Sequence, residues 1–250
     1  MNAFQPGTLR VATQQGDFLK FLSVGRTHVG RVRTLNEDAY LNRPEIGLWA
    51  VADGMGGHDR GDLASQRVVE ALESVTTSAS AHDAFTQVSD AIQRANDGLI
   101  GNDEEMSGAT VVALLAHRNR FSCIWAGDSR AYLYRSGALK RLTRDHSFVQ
   151  ELVDAGALTD DQARRHPKAN VVTRAVGAGP SLKLDDVSGE LQSGDRLLLC
   201  SDGLSGMLAE SVIVDALRRA PLEWAAQTLV DRSLAAGGKD NVTVVVVGVE

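Results

Sequence analysis

The chain has 250 residues, 43% hydrophobic and 23% charged, which suits one large core and is short for two. Its 26 Lys and Arg against 32 Asp and Glu give a net charge of −6, and basic residues form no run longer than pairs such as Arg164-Arg165. That balance argues against a nucleic-acid or anionic-membrane surface, and no stretch approaches the ~18 consecutive apolar residues of a membrane span.

In chain order, residues 1–17 lack a basic n-region and an apolar h-region. They are expected to be an N-terminal extension of a soluble, cytoplasmic protein. Short runs rich in Val, Leu, Ile and Trp predict strands at Phe18–Val24, Gly47–Ala52, Ala109–Ala116, Phe121–Ala126, Ala131–Tyr134, Arg196–Cys200 and Val242–Val247. Apolar residues at three- and four-residue spacing predict helices over Leu63–Val75, Ala84–Ile100, Phe148–Ala155, Ser211–Ala220 and Leu222–Ala235. Ala109 to Tyr134 holds three successive strands with turn signals at Arg118-Asn119 and Asp128-Ser129, which favours an antiparallel meander. Two packed sheets flanked by helices, an α+β arrangement in a single domain over 1–250, fit this order best. The locally polar segment 143–180 reads as an excursion from the core, either a functional flap or a plain surface insertion.

Cys123 and Cys200 each lie in an apolar run, so they read as buried small side chains and build no disulfide framework. A C-x5-R phosphatase loop is absent, because Ser129 and Gly206 stand six residues after the two cysteines.

Aspartates carry the strongest signal. Asp53, Asp128 and Asp202 follow the ends of apolar strands, and Asp240 precedes the start of another. One such aspartate is ordinarily an Asx turn or a cap. Four, if they meet at one edge of the sandwich, place like charges in a partly desolvated spot that needs a cation. Oxygen ligands without His or Cys select hard ions such as Mg²⁺ or Mn²⁺, and a two-metal site is the natural inference. Gly54 and Gly203, each just after an aspartate, allow close backbone approach. Asp53-Gly54-Met55-Gly56-Gly57 fits neither a dinucleotide fingerprint nor a Walker loop.

These residues fall into an ordered set. It runs Arg33-Thr34-Leu35-Asn36-Glu37-Asp38, Val51-Ala52-Asp53-Gly54-Met55-Gly56-Gly57, Gly108-Ala109-Thr110 and Ala126-Gly127-Asp128-Ser129-Arg130. Leu142-Thr143-Arg144-Asp145-His146, Ser201-Asp202-Gly203-Leu204 and Asp240-Asn241-Val242-Thr243 follow. In this order, and over nearly the whole chain, the sequence resembles the metal-dependent PP2C-type (PPM) serine/threonine protein phosphatases, above all their compact bacterial members.

The resemblance implies a four-layer α-β-β-α sandwich of two mainly antiparallel sheets with two Mn²⁺ or Mg²⁺ ions at one edge. It implies that Asp53 bridges the metals, that the Gly54 carbonyl binds one, and that Asp202 and Asp240 ligate the core pair. Glu37 and Asp38 would hold metal-bound waters, Asp128 would help bind a third ion, and Arg33 would grip the phosphate. Hydrolysis would proceed by attack of a metal-bridging water on phosphoserine or phosphothreonine proteins, in a monomer opposing a bacterial Ser/Thr kinase. Many eukaryotic relatives carry a histidine where Met55 stands, so a metal-bound water is the first candidate for the general acid and His58 the second.

The remaining histidines, His28, His82, His117, His146 and His166, form no ligand spacing. For Asp145-His146 the readings are a helix cap by Asp145 and a contact shaping the substrate groove, with capping favoured. Arg31 and Arg33 would share a face if Val32 lay in a strand. A catalytically silent phosphoprotein-binding regulator is the alternative function, and a two-metal nuclease is a poor third on charge.

Overall fold

The structure, a computed structural model, describes residues 10–13, 19–56, 60–100, 107–218 and 221–250. The strands in chain order are β1 (Arg10–Thr13), β2 (Lys20–His28), β3 (Asp38–Arg43), β4 (Leu48–Gly56), β5 (Ser107–Ala109), β6 (Val111–His117), β7 (Arg120–Ala126), β8 (Arg130–Arg135), β9 (Ala138–Arg141), β10 (Asp185–Glu190), β11 (Arg196–Cys200) and β12 (Val242–Val249). The helices are α1 (Gly61–Glu73), α2 (Ala81–Ile100), α3 (Phe148–Asp154), α4 (Asp160–Arg164), α5 (Asp202–Ser205), α6 (Glu210–Leu217) and α7 (Leu222–Ala235).

Two antiparallel sheets result. One has the order β1-β2-β12-β11-β8-β9, the other β10-β7-β6-β4-β3 with β5 paired to β4. Alternate side chains of each central strand enter different layers, as the period of two requires. On β4, Trp49 and Val51 point between the sheets with Phe21, Leu114, Leu199 and Val245. Leu48, Ala50 and Ala52 face the opposite way, onto Val68 and Leu72 of α1 and Ile92 of α2. Val244 and Val246 of β12 pack with Leu229 and Val230 of α7 and Ile213 of α6. Both faces of both sheets are covered, so the central strands are continuously apolar. The layers are therefore α-β-β-α, as expected.

The elements missed by periodicity are β1, β3, β9 and β10, which stand at or next to sheet margins, and the short α4 and α5. β10 alternates half-buried and exposed residues and carries two aspartates and a glycine, so it offers no apolar run. Of the expected N-terminal extension, Arg10–Thr13 pair with β2.

Two expectations are corrected. The Ala109–Ala116 run is split at Thr110 into β5 and β6. The expected three-strand meander holds only for its first turn, since β6 and β7 pair across Arg118-Asn119 while β8 lies in the other sheet. Gly127-Asp128-Ser129 is a crossing between sheets, with Gly127 at φ +117 against the Thr110 side chain.

Trp49 is fully buried and meets Phe21 edge to face at 5.5 Å. Trp49→Ala is expected to cost about 3–5 kcal/mol in urea denaturation. Trp49→Phe should cost far less, because it also removes a buried indole N–H that has no acceptor among the described residues.

Candidate active site

The site begins with strand register. Asp38 stands directly opposite Asp53 on neighbouring strands, and opposed residues of an antiparallel pair share a face. Asp53 is fixed through its backbone by Thr110, whose N–H donates to the Asp53 carbonyl at 2.8 Å and whose Oγ1 accepts the Asp53 N–H at 3.2 Å. The break between β5 and β6 is thus spent on holding Asp53. Thr110 Oγ1 also meets Ser129 Oγ at 2.7 Å, which ties in the crossing that carries Asp128.

The other sheet supplies the rest. β11 runs out at Ser201 and Asp202 opens α5, while Asp240 and Asn241 lead into β12. Ser201 Oγ donates to Asp38 Oδ2 at 2.8 Å and accepts the Thr243 N–H at 3.0 Å, which bridges the two sheets. Asn241 organises the loop before β3: its amide group donates to the carbonyls of Val29 and Leu35, and its Oδ1 accepts the Glu37 N–H at 2.8 Å. Gly203 lies against the Asn241 carbonyl and Gly54 against the Gly61 carbonyl, so a Cβ at either would overlap backbone. The Gly54 N–H donates to the Glu37 carbonyl at 3.0 Å.

The carboxylates of this edge lie near enough to act on one another. Burial, first, and then the charges of Asp38, Asp202, Asp128 and Asp240 push the Asp53 carboxyl well above the ordinary range. Burial raises Asp38 to about 7, opposed by hydrogen bonds from Thr243 and Ser201. Asp202 rises to about 6 through burial and the Asp240 charge, and lies close enough to Asp53 to hydrogen-bond with it. Asp128 rises to about 8, again through burial and then Asp202. Burial also raises Glu37, with Arg33 acting against it.

Arg33 Nη2 donates to Asp240 Oδ2 at 2.8 Å. Segment 29–37 is a loop, not a strand, so Arg31 and Arg33 do not share a strand face. His58, the second candidate for the general acid, falls outside the described residues. The helix-cap reading of Asp145 is corrected: Ser147 caps α3 by accepting the Gln150 N–H. Asp145 instead takes a two-pronged contact from Arg130, at 2.6 Å to Nη2, and another from Arg141. Sequence reading missed Ser201, Thr110 and Asn241 as parts of the site; each lies in a motif, yet polar residues beside a strand end carry no signal of a contact across sheets.

This donor set fits hard divalent ions. It is made of oxygens, and Asp38 Oδ1 is buried with no hydrogen-bond partner among the described residues. No group of three His, Cys, Asp or Glu among the described residues forms a ready-made cage. Mg²⁺ retains several waters and takes only one or two carboxylates, so carboxylates that form no dry cage still suit it. Among the described residues no helix is long and apolar enough to cross a membrane.

Two helix-flanked sheets with carboxylates gathered at one edge are the arrangement that the sequence resemblance implies. Comparison with known proteins agrees: the protein phosphatase 2C pattern matches residues 24–236, and the chain belongs to that family. It is similar to PppA, described as a key regulatory component of T6SS in Pseudomonas aeruginosa, at 41% identity and TM-score 0.84 over 92% of this chain and 98% of that one. The catalytic domain of the serine/threonine protein phosphatase PstP, solved with two manganese ions, matches at 36% identity and TM-score 0.85 over 92% of this chain and 99% of that one. Serine/threonine protein phosphatase PstP of Mycobacterium tuberculosis is 38% identical over 229 residues, 90% of this chain; the chain spans 44% of that relative's length.

Because Asp38, Asp128 and Asp202 have raised values in the fold, the native state binds more protons than the unfolded chain between pH ~4 and their folded values of about 7, 8 and 6. The metal-free protein therefore loses this contribution as pH rises from about 4 to 8. The gain in Tm on adding Mn²⁺ should grow across the same window in differential scanning fluorimetry, and a constant gain would contradict the assignment.

Proposed function

We propose that this chain hydrolyses phosphoserine and phosphothreonine in proteins, using two divalent ions held by Asp53, Asp202, Asp240 and the Gly54 carbonyl. The observation that carries this reading is the group of buried and half-buried carboxylates drawn from both sheets, with Arg33 on Asp240 at its rim. Mn²⁺ or Mg²⁺ serves, and Asp128 takes a third ion. When bound, the core ions supply an activated water and neutralise charge for in-line displacement at phosphorus.

Glu37 and Asp38 orient water, Asp38 being itself oriented by the Ser201 hydroxyl. Arg33 offers a planar fork to the non-reacting phosphoryl oxygens, a role that its contact with Asp240 supports. Water oxygen bonds to phosphorus and gives up a proton, the bond from phosphorus to the side-chain oxygen breaks, and that oxygen takes up a proton; no phosphoenzyme is needed. A cleft of about 620 Å³ joins Asp128, Asp202 and Asp240 to Arg164 and His166 in the 143–180 segment, which supports reading that segment as a flap over a phosphoprotein substrate. The same reading makes the protein a cytoplasmic monomer that opposes a Ser/Thr kinase. The catalytically silent alternative has no support, since its mark is a missing ligand and each core carboxylate is present.

Asp53→Asn and Asp202→Asn should each abolish Mn²⁺-dependent hydrolysis of p-nitrophenyl phosphate and of a phosphothreonine peptide, with circular dichroism unchanged. Full activity in both would refute the function. Arg33→Ala should lower kcat/KM by about 10- to 100-fold, the size of a lost hydrogen bond to a charged group. Arg33→Lys should recover only part, because an ammonium cannot form the two-pronged contact.

A further inference from the structure

His146 is buried at the start of the 143–180 segment, and no part of the mechanism above uses it. Its ring lies 6.0 Å from that of Trp125 and nearly parallel to it, at 12°. Both of its edges are occupied. Nδ1 accepts the Gly127 N–H at 3.1 Å. Nδ1 is therefore an acceptor, and Nε2 lies against two groups, Arg174 Nη1 at 3.0 Å and Asp185 Oδ2 at 3.2 Å. Burial lowers its pKa, in keeping with a neutral ring. Asp185 in turn receives Arg174 Nη1 at 2.7 Å on its other oxygen.

The backbone repeats the connection. The His146 N–H donates to the Gly127 carbonyl at 2.9 Å, and the Thr173 N–H donates to the His146 carbonyl at 2.8 Å. Asp185, the first residue of β10, pairs with Trp125 of β7, directly before the crossing. Both backbone groups of Gly127 are thus held by one residue, and Asp128 is the next residue along. Gly127 sits at positive φ against Thr110, so the crossing has little freedom once these bonds are made.

We propose that His146 is a positioning residue: through Gly127 it sets the turn that presents Asp128 to a third divalent ion, and through Asp185 and Arg174 it couples that turn to the flap. This rests on the reading of Asp128 as a third-ion ligand given above. A histidine that orders the backbone beside a ligand acts as an outer-shell partner, whose loss typically weakens metal affinity by about 10- to 100-fold.

The test is the Mn²⁺ binding isotherm of the full chain, followed by the electron paramagnetic resonance signal of free Mn²⁺. Wild type should bind a tight pair and one weaker ion, and Asp128→Ala should remove the weaker step. His146→Ala should weaken that step by about 10- to 100-fold while leaving the tight pair in place. His146→Asn, whose Oδ1 can replace Nδ1 as acceptor for Gly127, should restore most of it. The double variant Asp128→Ala/His146→Ala should bind as Asp128→Ala alone, the non-additivity expected of one unit. An unchanged weak step in His146→Ala, equal weakening of all steps, or no rescue by Asn would each overturn the proposal. If Asp128→Ala itself leaves the isotherm unchanged, the third-ion reading fails and this one falls with it, an outcome separate from the other three.

Discussion

Asp38 and Asp53 stand opposite one another on adjacent strands, and the structure at that edge follows from the cost of keeping them there. Like charges paired across strands repel, and burial removes the water that would otherwise screen them. With Asp202 and Asp128 added from the other sheet and from the crossing, the edge is an unfavourable place for anything but cations or protons. The sandwich makes this tolerable by stability elsewhere. Its three apolar layers, one between the sheets and one under each pair of helices, are built from side chains almost wholly removed from water.

A second consequence concerns how a ligand set can be assembled from distant segments. The Asp38 and Ser201 side chains are 163 positions apart in sequence, and Arg33 and Asp240 are 207 apart. The first of these contacts requires both sheets to be in register at once, since β3 and β11 belong to different sheets. A one-residue slip of β3 against β4 would turn Asp38 to the opposite face, so the apolar alternation that fixes the core also fixes the chemistry.

The sequence makes some of this visible and hides the rest for physical reasons. The inner strands and α7 are legible because both sheet faces are covered and the apolar runs are unbroken; Arg196–Cys200 and Leu222–Ala235 fall where periodicity puts them. β3 and β10 stand at sheet margins, where half the positions face water, so their polar residues resemble loop. Asp53, Asp202 and Asp240 are legible as residues at the ends of apolar runs. Asp38 is known only through the family resemblance, because the strand it opens has no pattern of its own. Asp145 looks like a cap, yet Ser147 is better placed by two residues, and Asp145 answers instead to Arg130 and Arg141, whose arrival from β8 and β9 no local rule anticipates.

Asn241 grips the chain at two points, the carbonyls of Val29 and Leu35, and leaves the intervening crown outside, with Val32 67% exposed. Between those feet the Arg31 N–H donates to the Gly238 carbonyl at 2.7 Å, a third fastening just short of the exposed tip. Arg33 comes two residues after that fastening with its guanidinium on Asp240, so an incoming phosphate would compete with Asp240 for the same charge, and the carboxylate would feel the exchange.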